Sequence, residues 1–242
     1  MEQAEDLDLT PPSARTGDHL VLEDSLVIIG VPVYGGRVPP EAARRLRRLK
    51  GNGTPAALVA VYGNRAYEDA LLELRNLASE GGFVPFAGGV FIGEHSLDSP
   101  ETPLATGRPD QKDLVKAGAF GDDIREYLGK IKSTAGIIPL EVPGNIPYRQ
   151  HTERVITSPV TNEELCVKCG TCAAVCPAGA ITVGDTVVTS ADDCILCRAC
   201  VKSCPESARE IVDPRITERA VRLSKNFRSP RKEPETYLSH RK

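Results

Sequence analysis

The stretch that decides the fold of this chain contains two runs of four cysteines. The first run reads Cys166-Val-Lys-Cys169-Gly-Thr-Cys172-Ala-Ala-Val-Cys176-Pro177. The second run reads Cys194-Ile-Leu-Cys197-Arg-Ala-Cys200-Val-Lys-Ser-Cys204-Pro205. Each run has the spacing C-x2-C-x2-C-x3-C-P, and the second repeats the first at a constant offset of 28 residues. The 8 cysteines of the protein all lie in these two runs, so its thiol chemistry is concentrated in one segment.

This spacing resembles that of bacterial two-cluster ferredoxins. Three thiolates spaced three residues apart on a tight turn can face one iron–sulfur cluster from one side, and the fourth, followed by proline, binds the other cluster. The resemblance therefore implies two [4Fe–4S] clusters with crossed ligand sets. The expected ligands of the first cluster are Cys166, Cys169, Cys172 and Cys204, and those of the second are Cys194, Cys197, Cys200 and Cys176.

Two other uses of paired cysteines fit the sequence poorly. Disulfides are disfavoured because the N-terminus, Met1-Glu-Gln-Ala-Glu-Asp, is acidic and unlike a secretory signal, and because the spacing is so regular. Zinc ribbons use separate C-x2-C pairs rather than four-cysteine runs that end in C-P. Iron–sulfur clusters are thus the favoured interpretation.

Composition limits the remaining classes of function. The 242 residues allow two domains, and a net charge of −3 gives no indication of nucleic-acid or membrane binding. No apolar run is long enough to cross a bilayer. Eight cysteines in cluster spacing favour a reducing compartment, so we expect a cytoplasmic protein.

The first half of the chain alternates apolar runs with amphipathic segments. The pattern predicts three strands and three helices, which favours an α/β fold with a parallel sheet. Ligands of such sheets bind at the carboxyl ends of the strands, which predicts the loops 32–40, 62–66 and 93–100 as the binding edge. The predicted strands are 25–31, 55–62 and 83–92, and the predicted helices are 41–50, 66–80 and 110–131.

Composition shifts predict the domain boundaries. An α/β domain at 1–131 precedes a linker rich in Pro and Gly at 132–160 and a ferredoxin domain at 161–212. Asp213-Pro214 predicts the start of a C-terminal helix. Prolines and charges alternate from Ser229 onward, which predicts a disordered charged tail within 213–242.

Residues 20–131 resemble the flavodoxin-like half of fused flavodoxin–ferredoxin proteins, the EFR1-family ferrodoxins. The resemblance depends on segments 30–40, 60–70, 93–96 and 107–110. It implies an incomplete flavodoxin-like, doubly wound parallel sheet and possible binding of FMN. By position, the flavin contacts would be Tyr34, Gly35 and Gly36 in one loop and Tyr62, Gly63, Asn64 and Arg65 in another.

The sequence departs from that family at its start. Nothing before Ser25 resembles the first strand and the Ser/Thr/Gly loop that holds the FMN phosphate. Either the protein starts upstream, or another chain supplies the unit, or the flavin site is vestigial, and we expect an upstream start. FMN binding is therefore doubtful, and the strand at 25–31 should be an exposed edge that favours self-association.

The resulting expectation is a low-potential electron carrier of anaerobic metabolism that exchanges electrons with redox partner proteins. An FMN would let it convert between one- and two-electron steps. Two alternatives stay open, which are a flavin-dependent reductase of a small acceptor and a scaffold with structural clusters.

Overall fold

The computed structural model describes residues 4–23, 25–131, 133–151 and 153–239, which form two compact units. The smaller unit combines the residues up to Gly17 with Glu153–Arg222, and the larger combines Asp18–Thr152 with the residues from Leu223 onward. Both chain termini are thus grouped differently from the predicted boundaries. The predicted boundaries follow changes in composition, and composition does not show which unit a terminal segment joins.

The larger unit is built around a four-stranded sheet with the order β10-β5-β4-β2. Strands β2, β4 and β5 pair in parallel, as the apolar runs predict. A separate parallel pair joins β1 to β3. The strands are β1 (Leu20–Val21), β2 (Val27–Pro32), β3 (Leu49–Lys50), β4 (Pro55–Tyr62), β5 (Val84–Ile92) and β10 (Glu235–Leu238).

Helices cover both faces of this sheet. They are α1 (Pro40–Leu46), α2 (Ala70–Glu80) and α3 (Gln111–Lys130). Adjacent residues of β5 show the two faces, because a Cβ added at Gly88 would meet Leu71 of α2, whereas one at Gly89 would meet Phe120 of α3. Successive strand residues point to opposite faces, so helices pack on both faces of the parallel sheet, whereas the doubly wound arrangement stays a prediction. A specifically flavodoxin-like fold stays a prediction.

Strand β2 is one edge of the sheet. Its core face buries Ile29 and Val31, whereas Leu26 just before it is 37% exposed and Ile28 is 63% exposed. An apolar edge strand of this kind is open to pairing with another chain. The predicted self-association through this edge stays a prediction.

The predicted disordered tail is wrong for part of the C-terminal segment. Residues of β10 pair antiparallel with β5, and the backbone N–H of Ser239 donates to the carbonyl of Phe86 at 2.7 Å. The tail has few apolar side chains, but an exposed strand edge supplies backbone donors and acceptors regardless of side chain. The order of the tail thus depends on its pairing with β5, a strand that lies far from it in the sequence.

Part of the predicted linker packs firmly, and the segment includes a short 3-10 helix at Thr134–Gly136. Leu140 is 1% exposed, and the buried carboxylate of Asp69 at the start of α2 fixes the following segment. Asp69 accepts hydrogen bonds from the backbone N–H groups of Asn145 at 2.8 Å and Arg149 at 2.7 Å, and from the Asn145 side chain at 3.1 Å. The part of the linker before Glu153 thereby belongs to the sheet unit.

The smaller unit repeats itself at the 28-residue offset of the cysteines. The pair Thr161↔Arg209 of β6 and β9 corresponds to the pair Thr189↔Ile181 of β8 and β7. Helices α4 and α5 occupy equivalent places in the two halves. The elements are β6 (Val160–Thr161), α4 (Thr171–Ala174), β7 (Ile181–Val183), β8 (Val187–Thr189), α5 (Ala199–Lys202) and β9 (Arg209–Glu210), followed by α6 (Pro214–Phe227).

Each half thus contributes one strand to each antiparallel pair, so neither half can form its pairs alone. The described residues include no helix that is both long and apolar enough to cross a membrane.

Candidate metal centres

The first cysteine cavity, which we call cavity I, gathers sulfurs from both runs. It is lined by the first three cysteines of run one and by the last cysteine of run two, which are Cys166, Cys169, Cys172 and Cys204. Gly170, Thr171 and Ala208 complete part of its wall. The small side chains leave room next to the sulfurs.

The second cavity, cavity II, is the counterpart of the first. It is lined by the first three cysteines of run two and the last of run one, which are Cys194, Cys197, Cys200 and Cys176. The two cavities have similar volumes, about 330 and 310 Å³ including their open mouths. The eight cysteines are thus distributed as two sets of four, each with three residues from one run and one from the other.

Left-handed backbone turns shape the ligand loops. Gly170 has φ 81° and precedes α4, which carries Cys172, and its counterpart Arg198 has φ 60° and precedes α5, which carries Cys200. Glycine adopts this conformation without strain, whereas a side chain at Arg198 makes it less favourable. The same turn therefore presents the third cysteine of each run to its cavity.

The last cysteine of each run accepts a hydrogen bond at its sulfur. The backbone N–H of Ala180 donates to Cys176 Sγ at 3.4 Å, and that of Ala208 donates to Cys204 Sγ at 3.3 Å. Both bonds span four residues and recur at the 28-residue offset. Such bonds favour the thiolate and tune the potential of a cluster that it binds.

The environments of the thiols differ between the two cavities. Burial raises the pKa of Cys194, and it raises the pKa of Cys197 to about 11. In cavity I, burial also raises the pKa of Cys172, but a hydrogen bond with Thr171 lowers the pKa of Cys169. Binding of iron must therefore displace protons from buried thiols, most of all in cavity II.

All eight cysteines are free thiols. Among the described residues, no group of three or more His, Cys, Asp or Glu is arranged to hold a single metal ion. A tetrahedral zinc site would require four ligands about 2.3 Å from one ion.

Arg209 is a functional candidate that the cysteine spacing alone does not indicate. It lines cavity I, is 4% exposed, and donates through Nη2 to Cys200 Sγ at 3.8 Å. A signal was present, because Arg209 occupies the place that Ile181 holds in the other half of the repeat. A charge at a position whose repeat counterpart is buried and apolar indicates a specific role.

The first predicted flavin loop is a tight turn. The backbone N–H of Tyr34 donates to the carbonyl of Arg37 at 3.0 Å, and Gly35 and Gly36 both have positive φ. A Cβ at Gly36 would collide with the side chain of Glu68. Gly36 is therefore required by close packing within the chain, whatever the loop binds.

The second predicted flavin loop is also engaged internally. Tyr62 is buried at the end of β4, and burial raises its pKa to about 12. The side chain of Asn64 donates to the carbonyls of Phe227 at 2.6 Å and Pro230 at 3.1 Å.

Two further contacts complete this loop. Arg65 pairs with Glu68 at 2.9 Å. Gly63 lies against the ring of His95. A flavin here stays a prediction, and it would have to replace several of these bonds.

Comparison with known proteins identifies the class of the smaller unit. The family of 4Fe–4S binding domains matches residues 159–182 and 187–210, one match in each half of the repeat. A ferredoxin-type domain thus occupies residues 159–210. No curated protein matches the chain.

The match indicates [4Fe–4S] binding by this part of the chain and supports iron–sulfur electron transfer. It does not extend to the sheet unit, for which the flavodoxin-like resemblance stays a prediction.

Proposed function

We propose that this chain is an electron-transfer protein that holds two [4Fe–4S] clusters. The observation that carries the proposal is the division of the eight cysteines between cavities I and II. Four thiolates around each cavity meet the ligand requirement of one such cluster. The proposed ligands are Cys166, Cys169, Cys172 and Cys204 in cavity I, and Cys176, Cys194, Cys197 and Cys200 in cavity II.

When bound, clusters of this type accept and release single electrons. The residues of the chain bind them, limit the access of water and set the charge nearby. The N–H groups of Ala180 and Ala208 stabilise negative charge on the sulfurs of Cys176 and Cys204. Cys172, Cys176, Cys194 and Cys200 are all buried, whereas Cys169 is exposed, which gives cavity I a route for exchange with a redox partner protein.

A flavin-linked reductase is the alternative function. It would need the loops at Tyr34–Gly36 and Tyr62–Arg65 to hold an FMN ring. The side chains of Asn64 and Arg65, which would face the ring, bond instead to other parts of the chain. No contact in the described residues favours the reductase, so we propose electron transfer by the clusters alone.

Anaerobic purification with iron and sulfide analysis tests the proposal. We expect about eight iron atoms and eight sulfides per chain, and an EPR signal after one-electron reduction of each cluster with dithionite. A chain with full iron content whose clusters cannot be reduced would support the structural scaffold instead. A chain that binds only one or two metal ions would refute the two-cluster proposal.

A further inference from the structure

The two halves of the smaller unit differ in charge at one position that is buried in both. Arg209 pairs with Thr161 across β6 and β9, just as Ile181 pairs with Thr189 across β7 and β8. Each lines a cysteine cavity, Arg209 in cavity I and Ile181 in cavity II. At this position the repeat thus places a cation in cavity I and an isoleucine in cavity II, although Arg198 also lines cavity II.

The guanidinium of Arg209 contacts both pairs of strands. Its Nη1 donates to Thr161 Oγ1 at 2.6 Å, and its Nη2 donates to Thr189 Oγ1 at 2.6 Å and to Cys200 Sγ at 3.8 Å. The side chain therefore lines cavity I while it contacts a cysteine of cavity II. Its positive charge favours the thiolate of Cys172 as well, in opposition to burial, which raises the pKa of that thiol.

This cation lacks a carboxylate partner. Within the described part of the chain, Arg209 forms no ion pair, and its buried Nε has no hydrogen-bond partner. Arginine stays protonated in proteins, and a buried unpaired charge is strongly unfavourable. Two hydroxyl groups and a sulfur do not neutralise this charge. Glu206 also lines cavity I but is exposed, so negative charge on a cluster held in the cavities would help to balance the buried cation.

We propose that Arg209 is a positioning residue that favours the reduced state of the clusters through its buried charge. The inference rests on the proposed two-cluster function. One-electron reduction by dithionite adds a negative charge to a cluster whose four thiolates are already negative. A nearby cation in a medium of low dielectric stabilises that added charge, and hydrogen bonds to ligand sulfurs act in the same direction.

The test is a redox titration followed by EPR on the full chain and on Arg209→Ile, which copies the residue of the other half. We expect the equilibrium constant for electron uptake by at least one cluster to fall about tenfold or more, which is a potential lower by about 59 mV. Arg209→Lys retains the charge, so its potentials should stay closer to those of the wild type.

Lys202→Met serves as the control for net charge, because Lys202 lies in the same unit but is exposed. Solvent and salt screen exposed charges, so its potentials should match the wild type. Potentials of Arg209→Ile equal to those of the wild type, at the same iron content, would overturn the proposal. So would a shift of the same size in Lys202→Met.

The iron content separates failure of this inference from failure of the proposed function. If the wild type lacks two reducible clusters, the proposed function itself is wrong. If Arg209→Ile cannot retain iron, Arg209→Lys must retain it with potentials near the wild type to support a role of charge. Loss of iron from both variants would show that Arg209 acts through shape and hydrogen bonding, which overturns the inference.

Discussion

The crossed distribution of cysteines predicts which two cysteines can be replaced with the loss of only one cluster. Cys204 belongs to run two in the sequence but lines cavity I with the first three cysteines of run one. Cys204→Ala removes one of four thiolates from cavity I and none from cavity II. We therefore expect iron to fall from about eight to about four atoms per chain, with the EPR signal of one reduced cluster retained.

A second substitution identifies the lost cluster by iron content alone. Cys169 lines the same cavity as Cys204, so Cys204→Ala with Cys169→Ala should still retain about four iron atoms. Cys197 lines the other cavity, so Cys204→Ala with Cys197→Ala should retain almost none. Changes within one site are not additive, whereas changes in separate sites are.

The corresponding double variants of Cys176, the last cysteine of run one, are the matched control. Cys176→Ala should spare iron when combined with Cys197→Ala and abolish it when combined with Cys169→Ala. Uncrossed ligation gives the opposite results for all four double variants. If Cys204→Ala with Cys169→Ala loses all iron while Cys204→Ala with Cys197→Ala retains half, the crossed assignment is refuted.

Further predictions separate the two units. Asp69→Ala should lower the free energy of unfolding of the sheet unit by about 3–5 kcal/mol, because it removes three hydrogen bonds to a buried carboxylate. The exposed control Asp123→Ala should change it by less than about 0.5 kcal/mol. Tyrosine fluorescence in urea checks both, because the 6 tyrosines all lie in the sheet unit, and equal effects would contradict the role of Asp69. The hydrogen bond from Arg108 holds the pKa of Asp113 below its usual value. The ionised Asp113 therefore stabilises the folded state. That stabilisation should be complete above the usual Asp pKa of about 3.9 and be lost as the pH falls through the lower folded value. In Asp113→Asn, unfolding should then depend less on pH below about 4, and an unchanged pH dependence would count against the pair. Iron chelation should expose amides of 161–212 to hydrogen exchange while the sheet stays protected, because the ferredoxin-type unit has few large apolar residues; unchanged exchange would rule this out. FMN should bind with a Kd weaker than about 1 μM, and tighter binding in a fluorescence titration would restore the flavin proposal.

The sequence by itself determined features that depend on neighbours in the chain. The spacing of Cys166, Cys169 and Cys172 is a property of one turn, and its repetition at 28 residues needs no knowledge of the fold. The apolar runs of β4 and β5 were predicted within one residue because buried parallel strands are apolar on both faces. The helix α3 was predicted within one residue as well. The helix α1 was predicted to continue to Lys50 but ends at Leu46, because the short strand Leu49–Lys50 follows it.

Only the tertiary structure decided the features that depend on distant residues. The charged segment Glu235–Leu238 became a strand because the edge of β5 offered backbone partners. Asn64 lies in a loop and Asp69 at the start of a helix, where such residues are common. Each side chain nevertheless forms hydrogen bonds with a segment far away in the chain.

Arg209 shows most clearly how a role can depend on the tertiary structure. Nothing local distinguishes it from a surface arginine, but strand pairing at the 28-residue offset buries it at a cysteine cavity. Local spacing sets which side chains can act together, whereas burial and charge balance depend on the elements that the fold packs around them.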